Sequence, residues 1–202
     1  MIFQQIKVGD MENFAYIIGD PKTKGAAIVD PGWDADILLD SCSKNKLKVK
    51  KIILTHTHYD HVNDVDYVFK KTNSDVYVHS LESDSIRKLN SGIKIIEFNN
   101  GDKFNVGNIE IEVMHTPGHS PGSSCFIFSG KILTGDTLFV GAIGRTDLPG
   151  GNPKVIAESL KRLKKLDDNL EVYPGHDYGD KPFSTIGAEK ESNFYLSKNI
   201  QN

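Results

Sequence analysis

Cysteine is scarce in this chain: two residues in 202, Cys42 and Cys125, with no Cys-x-x-Cys pair. A disulfide framework is therefore not expected, and the reading is of a reduced, cytoplasmic protein. An excess of positive charge is missing too. Lys and Arg total 24 against 27 Asp and Glu, a net charge of −3, which does not favour nucleic acid as a partner. No apolar run is long enough to span a bilayer, so no membrane segment is expected. The opening stretch MIFQQIKVGDMENF has no long apolar segment of the signal-peptide kind. Repeats, low-complexity tracts and linkers are also lacking. What remains is a chain with enough residues for one sizeable core, read as a single domain over 1–202. Nothing in it signals an oligomeric state.

The elements that are present alternate. AYIIGD (15–20) and AAIVDPG (26–32) read as strands around the turn DPKTKG, and DADILLDSCSK (34–44) as a helix. KKIILT (50–55) is a short apolar strand. NDVDYVFKKT (63–72) sets Val65, Val68 and Phe69 at helical spacing. SDVYVHS (74–80) alternates as a strand, and a helix is expected over 82–90. KIIEF (94–98) and NIEIEVMHT (108–116) follow as strands, and SCFIFSGKILTGD (124–136) as a hairpin turning at SGK. NPKVIAESLKRLKKL (152–166) predicts a helix with Asn152 as N-cap, Pro153 first, and Ile156, Leu160 and Leu163 as the buried stripe. LEVYPGH (170–176) is a last strand and loop. Strands and helices mixed along the whole chain predict an α/β sandwich.

The polar residues gather at strand ends. ILTHTHYDH (53–61), VMHTPGHS (113–120), ILTGDT (132–137) and VYPGHDY (172–178) each carry His or Asp just after an apolar run. Side chains so placed converge at one sheet edge on a rigid scaffold. The candidates are His56, His58, Asp60, His61, His119, Asp136 and His176. Seven ligands exceed one tetrahedral zinc. They suit two divalent metals, one with His56, His58 and His119, the other with Asp60, His61 and His176, and Asp136 bridging. Two such ions lower the pKa of a shared water and leave net positive charge for a substrate oxygen. Asp60 and Asp136 are thus the candidate catalytic carboxylates. His79 and His115 fall outside the pattern and read as structural. Asp30 reads as a loop-fixing acceptor, Asp177 as structural, and Gly118, Gly135 and Gly175 as backbone geometry. Phe139 and Leu148 are candidates to line a substrate channel.

THTHYDH, TPGHS, GDT and PGH match in order and spacing the metal motifs of the metallo-β-lactamase superfamily, over nearly the whole chain. The resemblance implies an αβ/βα four-layer sandwich with a metal centre at one edge of two sheets. It assigns the same division of ligands as the count above. The segment GDTLFVGAIGRTDLPGGN (135–152) resembles the compact bacterial relatives of glyoxalase II, the hydroxyacylglutathione hydrolases. That likeness implies attack of a metal-bridging hydroxide on a small-molecule thioester, with two ions, zinc, iron or a mixture. The thiol pKa of about 8.5 makes a separate general acid unnecessary. Where that family has a lysine and a tyrosine contacting glutathione, this chain has Arg145, the candidate substrate contact, and Asp147; the other reading of Arg145 is an internal salt bridge, to Asp147 or another group, that shapes the loop. Only a short helix is expected after His176, where larger relatives add a helical domain.

GRTD (144–147), HDY (176–178) and STIGAEK also resemble the persulfide dioxygenases. That alternative implies a single iron on His56, His119 and Asp136. Other readings fit less well. A flavodiiron enzyme has an acidic residue in place of His58, a processing nuclease has a basic arm, and a β-lactamase is usually exported.

Overall fold

The computed structural model describes residues 1–89 and 92–197. Its strands fall into two six-stranded sheets. The first runs in chain order: β1 (Ile2–Val8), β2 (Asn13–Gly19), β3 (Gly25–Val29), β4 (Lys48–Ile53), β5 (Asp75–His79) and β6 (Ile95–Phe98). β1 to β3 pair antiparallel and β3 to β6 parallel. The second contains β7 (Lys103–Val106), β8 (Ile109–His115), β9 (Ser124–Phe128), β10 (Lys131–Gly135), β11 (Glu171–Pro174) and β12 (Ser184–Thr185), also in order. All its pairs are antiparallel except β10 with β11.

Strand alternation builds the layers. In β2, Phe14, Tyr16 and Ile18 enter a core between the sheets, while Ala15 and Ile17 enter a second core under the helices. β10 does the same on the other sheet, with Leu133 inward and Ile132 outward. Helices α1 (Ala35–Lys44), α3 (Val65–Thr72) and α4 (Ser83–Leu89) cover the first sheet through Leu38, Cys42, Val65, Val68 and Ile86. Helices α5 (Pro153–Leu163), α6 (Ile186–Ser192) and α7 (Phe194–Ser197) cover the second through Ile156, Leu160, Leu163, Ile186 and Leu196. Three apolar cores between four layers make the αβ/βα sandwich that the motifs imply. Both cysteines lie buried in the two helix-side cores and are unpaired. Among the described residues no helix is long and apolar enough to cross a membrane.

Local signals set the boundaries. Asn152 caps α5, its Oδ1 accepting from the Lys154 and Val155 amides at 3.0 and 3.2 Å, with Pro153 in the first turn. The helix stops at Leu163, short of 166, because the next amides close tighter bonds, Lys165 N–H to the Arg162 carbonyl and Leu166 N–H to that of Leu163. The β9–β10 hairpin turns on Ser129 and Gly130, both at positive φ, as a two-residue turn between right-twisted strands requires. The helix expected over 82–90 begins as a 3₁₀ turn at Ser80–Glu82 and continues as α4; residue 90 lies outside the described residues. The loops after β4, β8, β10 and β11 all open at one edge of the sandwich, where the histidines meet.

Candidate metal centre

The seven predicted side chains converge. His56, His58 and His119 place one ring nitrogen each within 4.8 Å of one another, and Asp60, His61 and His176 do likewise with a carboxylate oxygen and two nitrogens. Asp60 and His61 sit on a single helical turn, α2 (Tyr59–Val62), inside the motif that follows β4. Asp136, at the end of β10, lies between the groups. Its Oδ2 is 3.5 Å from His119 Nε2 and 3.3 Å from His176 Nε2, and its Oδ1 is 3.3 Å from His61 Nε2. All but His58 are buried.

Each anchored imidazole is fixed from behind. Thr55 gives its hydroxyl proton to Asp30 Oδ2 at 2.6 Å, so its oxygen accepts from His56 Nδ1–H at 3.0 Å. His61 donates through Nδ1 to Asp30 Oδ2 at 3.1 Å. His119 donates through Nδ1 to the Arg145 carbonyl at 2.8 Å, and His176 to the Met11 carbonyl at 2.9 Å. Four rings therefore turn Nε2 inward, with its lone pair free for a cation once the ring is neutral. Asn13 holds the fifth donor, its amide at 2.9 Å from Asp60 Oδ2.

These inward atoms fit a divalent cation. The buried Nε2 of His56 has no hydrogen-bond partner. His58 Nδ1 and His119 Nε2 face each other at 2.8 Å, close enough to share one positive centre, a proton in the bare protein or a cation in its place. The electrostatics agree. Against the opposing effect of burial, Asp136 and Asp60 raise the His176 pKa to about 9, and Asp136 with Asp30 holds His61 well above the usual range. Burial likewise opposes, and the histidines enforce, ionised forms of Asp60 and Asp136. Burial pushes His56 well below its usual value, and His58 moves the same way by burial and by His119. Together the groups attract positive charge onto nitrogen and oxygen donors of the kind zinc and iron bind.

A profile of the metallo-beta-lactamase superfamily matches residues 8–176. The chain belongs to that superfamily. Among curated relatives it is 34% identical over 187 residues to "Probable polyketide biosynthesis zinc-dependent hydrolase PksB" of Bacillus subtilis, covering 91% of this chain and 81% of the relative. Among solved structures it resembles ETHE1 from Myxococcus xanthus, with a TM-score of 0.89 and 31% identity over 98% of this chain and 86% of that one. It also resembles BLEG-1, a B3 metallo-beta-lactamase, with a TM-score of 0.84 and 32% identity over 98% and 100%.

Other candidates fall into place around this superfamily site. Asp30 accepts from Thr55 and His61, as expected of a loop-fixing group. Asp177 pairs with Lys7 at 3.1 Å. His79 and His115 stack at 4.0 Å on each other, and burial with His115 lowers the His79 pKa to about 4. Phe139 and Leu148 line a cleft of about 580 Å³ over the cluster, and so does Arg145, whose guanidinium makes two 2.7 Å bonds to Asp147. Sequence reasoning missed Asn13, and Met11, Tyr59 and Tyr178 on the cleft wall. Tyr178 stacks on His176 at 4.5 Å. The one signal for Tyr59 and Tyr178 was their place beside Asp60 and His176.

Gly175 owes its place to close approach. A Cβ there would lie 2.2 Å from Asp136 Oδ1 and 3.0 Å from His61 Cε1. Gly175→Ala is expected to push the Asp136 carboxylate aside and weaken metal retention by about 10- to 100-fold. Competition against a chromogenic chelator checks this; unchanged retention would mean the strand end yields instead.

Proposed function

We propose that this chain is a hydrolase that cleaves a small-molecule thioester with two divalent cations. One would be held by His56, His58 and His119, the other by Asp60, His61 and His176, with Asp136 shared. The observation that supports this most is the position of Asp136, whose two oxygens reach histidines of both groups. When bound, the cations supply water of lowered pKa and an electrophile for a carbonyl oxygen.

The chain's own residues do the rest. Thr55, Asp30 and the carbonyls of Arg145 and Met11 orient the imidazoles, so little reorganisation is needed as charge develops. Asp60 and Asp136 remain ionised, so they can hold cations and accept a hydrogen bond from the attacking water, whose protons pass to solvent. In the net reaction the acyl C–S bond breaks, a C–O bond from water forms, and the thiol leaves as thiolate. With a thiol pKa of about 8.5, no acid is needed at the leaving sulfur. The tyrosines at the cleft mouth fit this economy, since the hydroxyls of Tyr59 and Tyr178 are directed to Met11.

Elemental analysis of untagged protein is expected to find close to two ions per chain, zinc or a zinc–iron mixture. Turnover of a generic acyl thioester should vanish on chelation and return on metal addition. A stoichiometry of one iron, with oxygen consumed on a glutathione persulfide, would replace this reading with persulfide dioxygenation on His56, His119 and Asp136.

A further inference from the structure

The walls of the cleft say what kind of thioester it receives. Above the His and Asp cluster the lining is apolar: Met11, Tyr59, Phe139, Ile143, Leu148 and Tyr178. Tyr59 is 62% exposed, Tyr178 52% and Met11 37%, so large apolar side chains stand open at this mouth. The two tyrosines do not make it polar. The Tyr59 hydroxyl donates to Met11 Sδ at 2.9 Å, and that of Tyr178 to the Met11 carbonyl at 3.3 Å. With both hydroxyl protons directed to Met11, what the two residues add to the cleft wall is mainly ring surface.

Charge is balanced at the same rim. Apart from histidines, Arg145 is the only basic side chain among the described residues lining the cleft. Asp147 already grips it through Nε and Nη2, in the two-pronged geometry that a substrate carboxylate would use. A carboxylate arriving there competes with Asp147 for Nε and Nη2, or settles for the outer Nη1 edge beside a charge that Asp147 already balances. The rim thus offers an anionic carrier only a cation whose charge Asp147 already balances, beside a hydrocarbon surface.

We infer that the cleft takes a thioester with an uncharged hydrocarbon arm in preference to a glutathione thioester. The inference rests on the thioester reading above. Each methylene buried against these walls raises the specificity constant by up to about fourfold. Glutathione, with two carboxylates and an ammonium, gains little from the same surface.

The test uses the metal-loaded full chain and three sets of substrates. One set lengthens a straight acyl group on uncharged N-acetylcysteamine from acetyl to octanoyl. The second keeps an acetyl group and lengthens an uncharged alkyl thiol. The third is lactoylglutathione. In one of the first two sets kcat/KM is expected to climb about two- to fourfold per methylene until the cleft is full, and which set climbs identifies the arm. Asp147→Ala should release Arg145 and raise the ratio of kcat/KM for the glutathione thioester over that for a neutral one about three- to fivefold, an effect lost in high salt. Flat profiles in both series, or lactoylglutathione preferred over every neutral thioester, would overturn the inference while leaving thioester hydrolysis standing. An unchanged ratio in Asp147→Ala would refute the masking of Arg145. No turnover on any thioester, with metals bound, would reject the parent reading and this one with it.

Discussion

Asp136→Ala is expected to lower turnover by about 10²- to 10³-fold or more and to leave a protein that loses its metal on gel filtration. Asp136 is 8% exposed, and its oxygens lie 3.3 to 3.5 Å from nitrogens of His61, His119 and His176. Asp30 also lies within 4.8 Å of ring nitrogens of His56 and His61, but it pairs directly with His61 alone, whereas Asp136 pairs with histidines of both groups. Alanine removes the one negative charge that the two proposed cations would share and leaves the imidazoles without that counter-charge. Both ions should therefore weaken together, not one alone. Asp136→Asn separates charge from shape, since it keeps the size and one carbonyl oxygen but not the charge. Elemental analysis of each variant, beside thioester turnover, decides the matter. Two retained ions and near-normal activity in Asp136→Ala would end the shared-carboxylate assignment.

Asp30→Ala should damage stability and metal binding at once. Asp30 is 2% exposed and holds a positive φ of 48°. Its Oδ1 accepts from the Thr55 amide at 2.8 Å, and its Oδ2 accepts from the Thr55 hydroxyl and His61 Nδ1. Alanine strands three buried donors and frees the His56 and His61 rings to change tautomer. A loss of about 2–4 kcal/mol is expected, with metal affinity down about 10- to 100-fold. Urea titrations with and without chelator separate the two effects. If the apo variant unfolds like the apo wild type, Asp30 does not carry the loop; if metal retention is unchanged, it does not orient His61.

Much of this was legible in the sequence, for a physical reason. Buried strands are written in side chains: AAIVDPG and KKIIL placed β3 and β4, and the helical spacing of Val65 and Val68 placed α3. The ligand candidates were legible because His and Asp are costly to bury unpaired, so their clustering after apolar runs was informative. β1 went unread. IFQQIKV has Gln4 and Gln5 at its centre, and an edge strand half open to water need not hide its polar residues. β7 and β12 were also unread, being short elements held mainly by tertiary contacts, and after His176 one short helix was expected where two, α6 and α7, form. The one-turn helix α2 lay hidden inside the His motif. The pairing of Arg145 with Asp147 was foreseen only as one of two outcomes, since two residues two apart can equally face away. Least legible were the carbonyls behind His119 and His176, because a main-chain oxygen has no letter of its own.

That anonymity has an evolutionary consequence. Met11 and Arg145 each present two faces: the carbonyl aims an imidazole, while the side chain forms part of the cleft wall. Every amino acid carries the carbonyl, so either position can exchange its side chain without forfeiting the ring it steadies. Natural drift or a saturation library at positions 11 and 145 could thus reshape what enters the cleft while the ion-holding apparatus beneath is inherited intact. Diversification of substrate and preservation of chemistry are separable here within a single residue.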